Sequence, residues 1–316
     1  TPCGTLFPYT TLFRSIPFSI MSYNAESLRA LKKIAKYSFF QNGSIFLGTL
    51  LVSLLFLYFL TENSYLILSF AIAVTFLMIL SFWLLLKEMK VFRSDKKSRN
   101  IYPVRKIFRI SIPMMFSNSL FLIMNWTDIL MLSYFSDEAI VGIYNTAVKV
   151  AALNSVALIA INSMATPKFA ELFAMNDKPG FVKIVKQTSM MISSVSVPIF
   201  LIILVFPGFL LSIFGQEFIL GKHALIILVI GQMFNAFCGS TMHVLNMTGK
   251  EKTGRNILLV ATILNIGLNY YLIPAFGLDG AAIATAASTF FWNFLAVVFI
   301  YRYHGFFTFP LFINKK

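Results

Sequence analysis

Long runs without Asp, Glu, Lys or Arg limit the fold of this chain more than any other feature of the sequence. About 20 apolar residues at ~1.5 Å rise per residue cross the hydrocarbon core of a bilayer. Six such runs are free of charge, and two more carry one ionisable residue each, Asp128 and Lys149. We therefore predict an all-α, polytopic membrane protein with eight transmembrane helices, at residues 37–61, 63–86, 110–135, 139–167, 187–216, 223–249, 256–278 and 280–301.

The basic residues are distributed unevenly between the predicted loops. Eight helices make the loops alternate between the two sides of the membrane, and 23 Lys and Arg residues then share one side, whereas only Lys222 lies opposite. The acidic residues show no such bias. This is the pattern of the positive-inside rule, so the basic side is predicted to be cytoplasmic. The net charge of +14 is explained in this way, and no nucleic-acid partner is expected.

Three stretches resemble a known family. LNIGLNYYLIPAFGLDGAAIATAAS at 264–288 resembles the penultimate hairpin of the polysaccharide and lipid-linked oligosaccharide flippases, of O-antigen and capsule type. These belong to the multidrug/oligosaccharidyl-lipid/polysaccharide exporter superfamily. TDILMLSYFSDEAIVGIYNTAVKVAAL at 127–153 is similar to the first hairpin of that family's second bundle, and TPKFAELF at 166–173 to the cytoplasmic step that follows. The resemblance implies a fragment of a two-bundle exporter fold.

The domain organisation follows from this resemblance and from the polar connections. Residues 5–15, TLFPYTTLFRS, are also similar to translated sequencing adapter, so residues 1–15 are expected to be an artefact. The remaining boundaries are a cytoplasmic segment at 16–36, the last two helices of the first bundle at 37–86, a cytoplasmic linker at 87–109, a six-helix second bundle at 110–303 and a cytoplasmic tail at 304–316.

Asp128 and Lys149 need an explanation because an ionised side chain at the bilayer centre costs about 2.5–3.5 kcal/mol on insertion scales. At helical rise, Asp128 lies ~9 Å and Lys149 ~14 Å below the connecting loop. The lysine stem spans that difference, so one interpretation is a structural ion pair across adjacent helices.

A second interpretation uses the helical face around Lys149. The residues that share this face are small or polar, as expected for a helix that borders other helices or a wet cavity: Asn145, Ala152, Val156, Ala160 and Ser163. An ammonium group there can hold the pyrophosphate of a lipid-linked sugar. The flippase resemblance implies cationic residues in a central cavity.

Polar residues also repeat along the predicted helix at 223–249. Counted from Gln232, Asn235, Gly239, His243 and Asn246 follow at helical spacing. Amide and imidazole groups avoid lipid because they would lack partners there, so this stripe is predicted to face protein or water. Interhelical hydrogen bonds and sugar contacts both explain it, and His243 also suggests a role in proton coupling.

No enzyme class is favoured by the sequence. It contains no HExxH, no phosphate-binding glycine loop and no Cys/His metal spacing, so neither a cofactor nor a metal is expected. The resemblance implies transport of a polyprenyl-pyrophosphate-linked oligosaccharide across the bacterial cytoplasmic membrane by alternating access, with a proton or sodium as a possible coupling ion. The predicted substrate-binding residues are Lys149, Asp128, Asn145, Gln232, Asn235 and His243. The alternatives are a cation-coupled multidrug exporter and a membrane scaffold without transport activity.

Overall fold

The computed structural model describes residues 7–59, 65–92 and 103–309. Every regular element in these ranges is helical. The chain divides into two units, Thr1–Ile101 and Tyr102–Lys316. Parts of the predicted artefact, linker and tail, at residues 1–6, 93–102 and 310–316, lie outside the described residues.

The described residues of the first unit form four α-helices and one π-helical turn. α1 packs against α4, where Asn24 donates a hydrogen bond to Ser81 (3.0 Å). Met21, Leu28 and Phe40 are fully buried in the core between these helices. Leu, Ile and Phe make up most of α3 and α4, as is typical of helices in lipid. The helices are α1 (Phe7–Ala30), α2 (Ile34–Ser38) followed by the π turn Phe39–Gly43, α3 (Ser44–Phe59) and α4 (Tyr65–Phe92).

Between residues 103 and 309, the second unit forms eight α-helices and two 3-10 turns. Two apolar cores hold it together, one around Phe169, Phe181 and Trp292 and the other around Tyr144 and Leu225. The helices are α5 (Val104–Phe135), α6 (Glu138–Ala152), α7 (Val156–Ala174), α8 (Lys178–Val205), α9 (Pro207–Ser212), α10 (Lys222–Cys238), α11 (Thr241–Met247) and α12 (Glu251–His304).

Within the described residues, six helical segments are long and apolar enough to cross a membrane. A seventh is obtained if the bent pair Ile34–Gln41 and Ser44–Phe56 forms one span. The protein is therefore a polytopic helical membrane protein, but the predicted count of eight is not confirmed. The difference arises at this bent pair, which replaces the span predicted at 37–61, and at α12, which runs through two of the predicted spans.

The backbone of α12 reverses at Gly277. This residue has φ 57° and ψ −129°, a conformation that side chains with a Cβ rarely adopt. Beyond the turn, Gly280 lies so close to the first arm that an added Cβ would be 2.1 Å from the carbonyl oxygen of Leu272. The two arms of α12, before and after Gly277, therefore form a tight antiparallel hairpin.

Four of the predicted helices are interrupted in the structure. The helix at 37–61 contains the π turn Phe39–Gly43, and the helix at 187–216 breaks at Phe206, between α8 and α9. The helix predicted at 139–167 becomes α6, the 3-10 turn Leu153–Ser155 and α7. The helix predicted at 223–249 is broken between α10 and α11 at Gly239 (φ 72°, ψ −141°). An added Cβ on Gly239 would lie 2.2 Å from Ser189 Oγ of α8. The break at Gly239 thus depends both on the backbone conformation and on close contact with α8.

Candidate functional site

Asp128 is buried in the second unit, with 4% of its surface exposed. Tyr144 Oη donates to Oδ2 (3.1 Å), and Thr285 Oγ1 donates to the same oxygen. Asn269 Nδ2 donates to Oδ1 (2.7 Å), with Asn265 Nδ2 at 3.4 Å from it. Four donors from neutral side chains therefore surround one carboxylate.

These donors come from three different helical segments. Tyr144 belongs to α6, Asn265 and Asn269 lie one turn apart on the first arm of α12, and Thr285 is on the second arm. The hairpin at Gly277 brings the two arms together on Asp128, which belongs to α5. Each donor stabilises a negative charge, since hydrogen bonds to charged groups are the stronger ones.

The same site contains two oxygen atoms without partners. The Oδ1 atoms of Asn265 and Asn269 are buried and have no hydrogen-bond partner among the described residues. Both amides turn their Nδ2 atoms to Asp128, and their buried oxygens add to the polar character of this site. Carboxylate, amide and hydroxyl oxygens are suitable ligands for a hard cation. The Asp128 site therefore has the donor set for a small cation.

Lys149 is not part of this arrangement. Its side chain is exposed, and none of the ion pairs of the described residues includes it. One interpretation of the sequence was an ion pair between Asp128 and Lys149, based on their similar depth in the membrane. This ion pair does not form in the structure. The reason is that Tyr144, one helical turn from Lys149 and pointing into the core, takes the position beside Asp128.

The helical face that carries Lys149 is turned away from the core of its own unit. Four of its residues, Lys149, Ala152, Val156 and Ala160, are exposed, and Asn145 is half-buried. On the opposite face, Ala147 and Val150 are buried. Leu153 is also exposed beside Lys149, so the face carries both small and larger apolar side chains. An ammonium group there is unusual for a helix that contacts lipid.

The remaining predicted site residues belong to a band of interhelical hydrogen bonds, the polar seam. Ser155 donates to Gln232 Oε1 (2.7 Å), and Asn293 Nδ2 donates to Asn235 Oδ1 (3.2 Å). His243 Nδ1 lies 3.2 Å from Thr166 Oγ1. Gln232, Asn235 and His243 are all half-buried. The polar seam consists of Ser155, Asn162, Thr166, Gln232, Asn235, Ser240, Thr241, His243 and Asn293.

The polar seam crosses the break at Gly239. Immediately after the break, Ser240 donates to Asn162 of α7, and Thr241 lies 3.4 Å from Asn293 of α12. Helix breaks at membrane depth are tolerated where neighbouring side chains satisfy the freed backbone and polar groups. In secondary transporters, such discontinuous helices often border the binding site.

Several residues of these sites were missed or interpreted differently from the sequence. Asn265 and Asn269 are four positions apart and so share one helical face, which is the only signal that the sequence contains for them. Thr285 and Tyr144 gave no separate signal, since Thr and Tyr are ordinary residues in membrane helices. Among the described residues, no group of three or more His, Cys, Asp or Glu is arranged to hold a metal ion.

Two family models match the chain. The polysaccharide biosynthesis protein model matches residues 6–173, starting inside the stretch that resembles adapter sequence. The MatE model matches residues 113–271, which lie within the second unit. Each match covers half of the chain or more.

Two curated relatives show similar sequence. The probable low-salt glycan biosynthesis flippase Agl15 of Haloferax volcanii is 30% identical over 168 residues, 52% of this chain and 35% of that protein. The capsular polysaccharide biosynthesis protein CapF of Staphylococcus aureus is 25% identical over 211 residues, 66% of this chain and 52% of that protein. The chain thus spans between about a third and a half of the length of these relatives.

Solved structures with a similar fold are MATE transporters. A point mutant of the Vibrio cholerae MATE transporter VcmN superposes with a TM-score of 0.73 at 15% identity, covering 88% of this chain and 64% of that one. A MATE structure in the straight conformation gives 0.68 at 13% identity, covering 95% and 77%. These structures show a shared fold, and the two family matches show that the chain belongs to the polysaccharide flippase family of the multidrug/oligosaccharidyl-lipid/polysaccharide exporter superfamily.

Proposed function

We propose that the protein of this chain moves a lipid-linked oligosaccharide, carried on a polyprenyl pyrophosphate, from the cytoplasmic to the outer leaflet of the bacterial cytoplasmic membrane. Transport proceeds by alternating access between two bundles. The observation that carries this proposal is the exposed Lys149 on a face of mostly small side chains. The names of the two curated relatives, a probable glycan biosynthesis flippase and a capsular polysaccharide biosynthesis protein, support the same substrate class.

Lys149 is assigned to the anionic head of the substrate. Its ammonium group has no carboxylate partner among the described residues, so its charge is available to a pyrophosphate. Asn145, one turn earlier on the same face, adds a hydrogen-bonding group. Lysine binds phosphate as a point charge and does not require a fixed geometry.

The polar seam is assigned to the sugar path. Three of its side chains are half-buried and hydrogen-bonded to neighbouring helices: Gln232, Asn235 and His243. These hydrogen bonds hold their partly exposed polar groups in fixed positions. Amide and imidazole groups held in this way form hydrogen bonds with hydroxyl groups without losing further side-chain entropy.

Asp128 is assigned to the coupling cation. The site carries a single negative charge, which one sodium ion or one proton neutralises, whereas a divalent ion would leave a buried excess charge. Asp128, Tyr144 and Thr285 supply oxygen atoms, while Asn265 and Asn269 turn their amide nitrogens to the carboxylate. The cation lowers the cost of burying the carboxylate, and its release couples the ion gradient to the packing of the second unit.

The alternative function, cation-coupled export of drugs, finds less support. A cationic drug needs an accessible acidic group in the cavity. Asp128 accepts hydrogen bonds from four side chains and is buried, so a bulky cation cannot reach it. The accessible ionisable group on the candidate face is basic, which suits an anionic cargo.

Export complementation tests the role of Lys149. Residues 110–303 replace the corresponding bundle of a full-length flippase relative, and glycan export is measured for Lys149→Met and Lys149→Arg. A lost contact with a charged group costs about 1.5–3 kcal/mol, so Lys149→Met should lower export about tenfold or more. Lys149→Arg should keep most of it, since the charge remains.

The controls separate binding from folding. Lys222→Met, also an exposed lysine of the second unit, should leave export unchanged. Membrane insertion is checked by the amount of monodisperse protein extracted in detergent. Normal export by Lys149→Met would show that the lysine does not contact the substrate. Failure of both Lys149 variants to insert would identify a structural role instead.

A further inference from the structure

A cavity of about 220 Å³ lies at the end of the second unit that carries its basic loops. Its walls are formed by the end of α7, the start of α8 and the end of α12. Residues from all three take part: Leu172, Phe173, Asn176, Asp177, Lys178, Phe181, Tyr303, His304 and Phe306. The positive-inside rule places this end at the cytoplasmic surface of the membrane. Neither the polar seam nor the Asp128 site contributes a residue to it.

The aromatic walls of the cavity form a connected cluster. The ring centroids of Phe181 and Phe306 are 6.1 Å apart, and the ring of Phe173 lies 6.0 Å from the ring of His304 in an edge-to-face arrangement. His304 Nε2 is 3.2 Å from Thr248 Oγ1. Contacts of this kind fix the ring positions, so the cavity has a defined shape.

The charges around the cavity are mainly positive. Lys178 lines it, and Lys250 Nζ lies 4.3 Å from the centre of the Tyr303 ring. Both ammonium groups act electrostatically on His304. The carboxylate of Asp177 also lines the cavity, and it accepts a hydrogen bond from Gly180 N (2.9 Å) at the start of α8. Two cations thus flank an aromatic cavity at the membrane surface.

We propose that this cavity binds a phosphate group, supplied by the headgroup of an anionic phospholipid of the cytoplasmic leaflet, between Lys178 and Lys250. The phosphate is held by the two ammonium groups, and the aromatic walls contact the glycerol and the first methylene groups. The location fits this ligand, because aromatic and basic residues concentrate where lipid headgroups lie. The cavity is separate from the transport path and makes the lipid a structural partner of the second unit.

Lipid-dependent thermal stability tests this proposal. The full chain is purified in a neutral detergent and titrated with phosphatidylglycerol, phosphatidylcholine or inorganic phosphate, and the thermal unfolding midpoint gives an apparent affinity. A lysine near an anionic lipid surface contributes a factor of about five. Lys178→Gln and Lys250→Gln should therefore each weaken the response to phosphatidylglycerol about fivefold. The double variant should lose it almost completely.

Lys183→Gln is the matched control. Lys183 is an exposed lysine on α8 beside the same loop, but it does not line the cavity, so this variant should keep the wild-type response. An equal loss in Lys183→Gln would show general attraction between a basic surface and anionic lipid, and would overturn the proposal. Stabilisation by phosphatidylcholine equal to that by phosphatidylglycerol would also overturn it.

The titration with inorganic phosphate shows whether the bound phosphate group comes from a lipid or from a soluble ligand. Stabilisation by phosphate alone, lost in the Lys178→Gln and Lys250→Gln variants, would confirm a phosphate site and assign it to a soluble ligand instead of a lipid. Stabilisation by phosphatidylglycerol without an effect of millimolar phosphate would assign it to the lipid. Variants that do not fold are replaced by Lys178→Arg and Lys250→Arg, which keep the charge and should retain the response.

Discussion

Replacing Asp128 with Asn should abolish ion-dependent stabilisation of the protein and stop transport, while the chain still inserts into the membrane. Asn has nearly the same shape as Asp and is neutral, so it fits the buried site without the cost of an unpaired charge. It cannot neutralise a cation. A ligand present at about 100 times its Kd stabilises the folded state by about 2.7 kcal/mol, and we expect that contribution to disappear.

The measurement is a thermal unfolding midpoint in sodium chloride against choline chloride at constant ionic strength. The wild-type midpoint should rise in sodium if sodium occupies the site, and should respond to pH alone if the occupant is a proton. Asp137→Asn is the matched control, because Asp137 is an exposed carboxylate in the connection between α5 and α6. An ion response that persists in Asp128→Asn would place the coupling site elsewhere.

Replacing Gly239 with Ala should strongly destabilise the second unit. The backbone conformation of Gly239 is one that essentially only glycine adopts, and a residue with a Cβ there costs about 1–3 kcal/mol. The added Cβ would also lie 2.2 Å from Ser189 Oγ and 2.8 Å from Ser189 Cβ. Relieving that overlap costs about 1–3 kcal/mol more. The expected loss of stability is therefore the sum of two separate effects.

Other glycines allow these two effects to be measured separately. Gly249 has φ 72° but no atom within 4 Å of its added Cβ, so Gly249→Ala should show only the backbone cost. Gly267 has neither feature, and Gly267→Ala in a helix should be neutral or stabilising. A double-mutant cycle with Ser189→Gly should recover the overlap cost of Gly239→Ala. Additive effects of the two substitutions would show that the close contact carries no energy.

The sequence predicted the membrane-spanning helices well because the signal is local. A charge-free run of about 20 residues has few structures available in lipid, so composition alone located α4, α5, α8 and α12. The turn at Gly277 was also predictable, from a proline and two glycines between two apolar runs. The family resemblance was carried by the same local stretches and was confirmed by the family matches.

The arrangement of the candidate sites was not predictable in the same way. Asn269 and Thr285 are 141 and 157 positions from Asp128 in the sequence, and no local pattern connects them. The 3-10 turn at Leu153–Ser155 contains neither glycine nor proline, so nothing in the sequence indicates it. Gly239 lies inside a predicted membrane helix, where a single glycine is usually tolerated. Lys149 was therefore predicted as the partner of Asp128 from depth in the membrane alone. Depth cannot show which of the neighbouring helices contacts Asp128.

The four donors around Asp128 have a kinetic consequence. They connect α5, α6 and both arms of α12. Neutralising the single carboxylate of Asp128 therefore alters the contacts of four helical segments at the same time. Packed interiors respond to such a change by switching between discrete arrangements and not by gradual deformation. Reorientation of the empty carrier should therefore speed up or slow down with ion concentration even when no cargo is present.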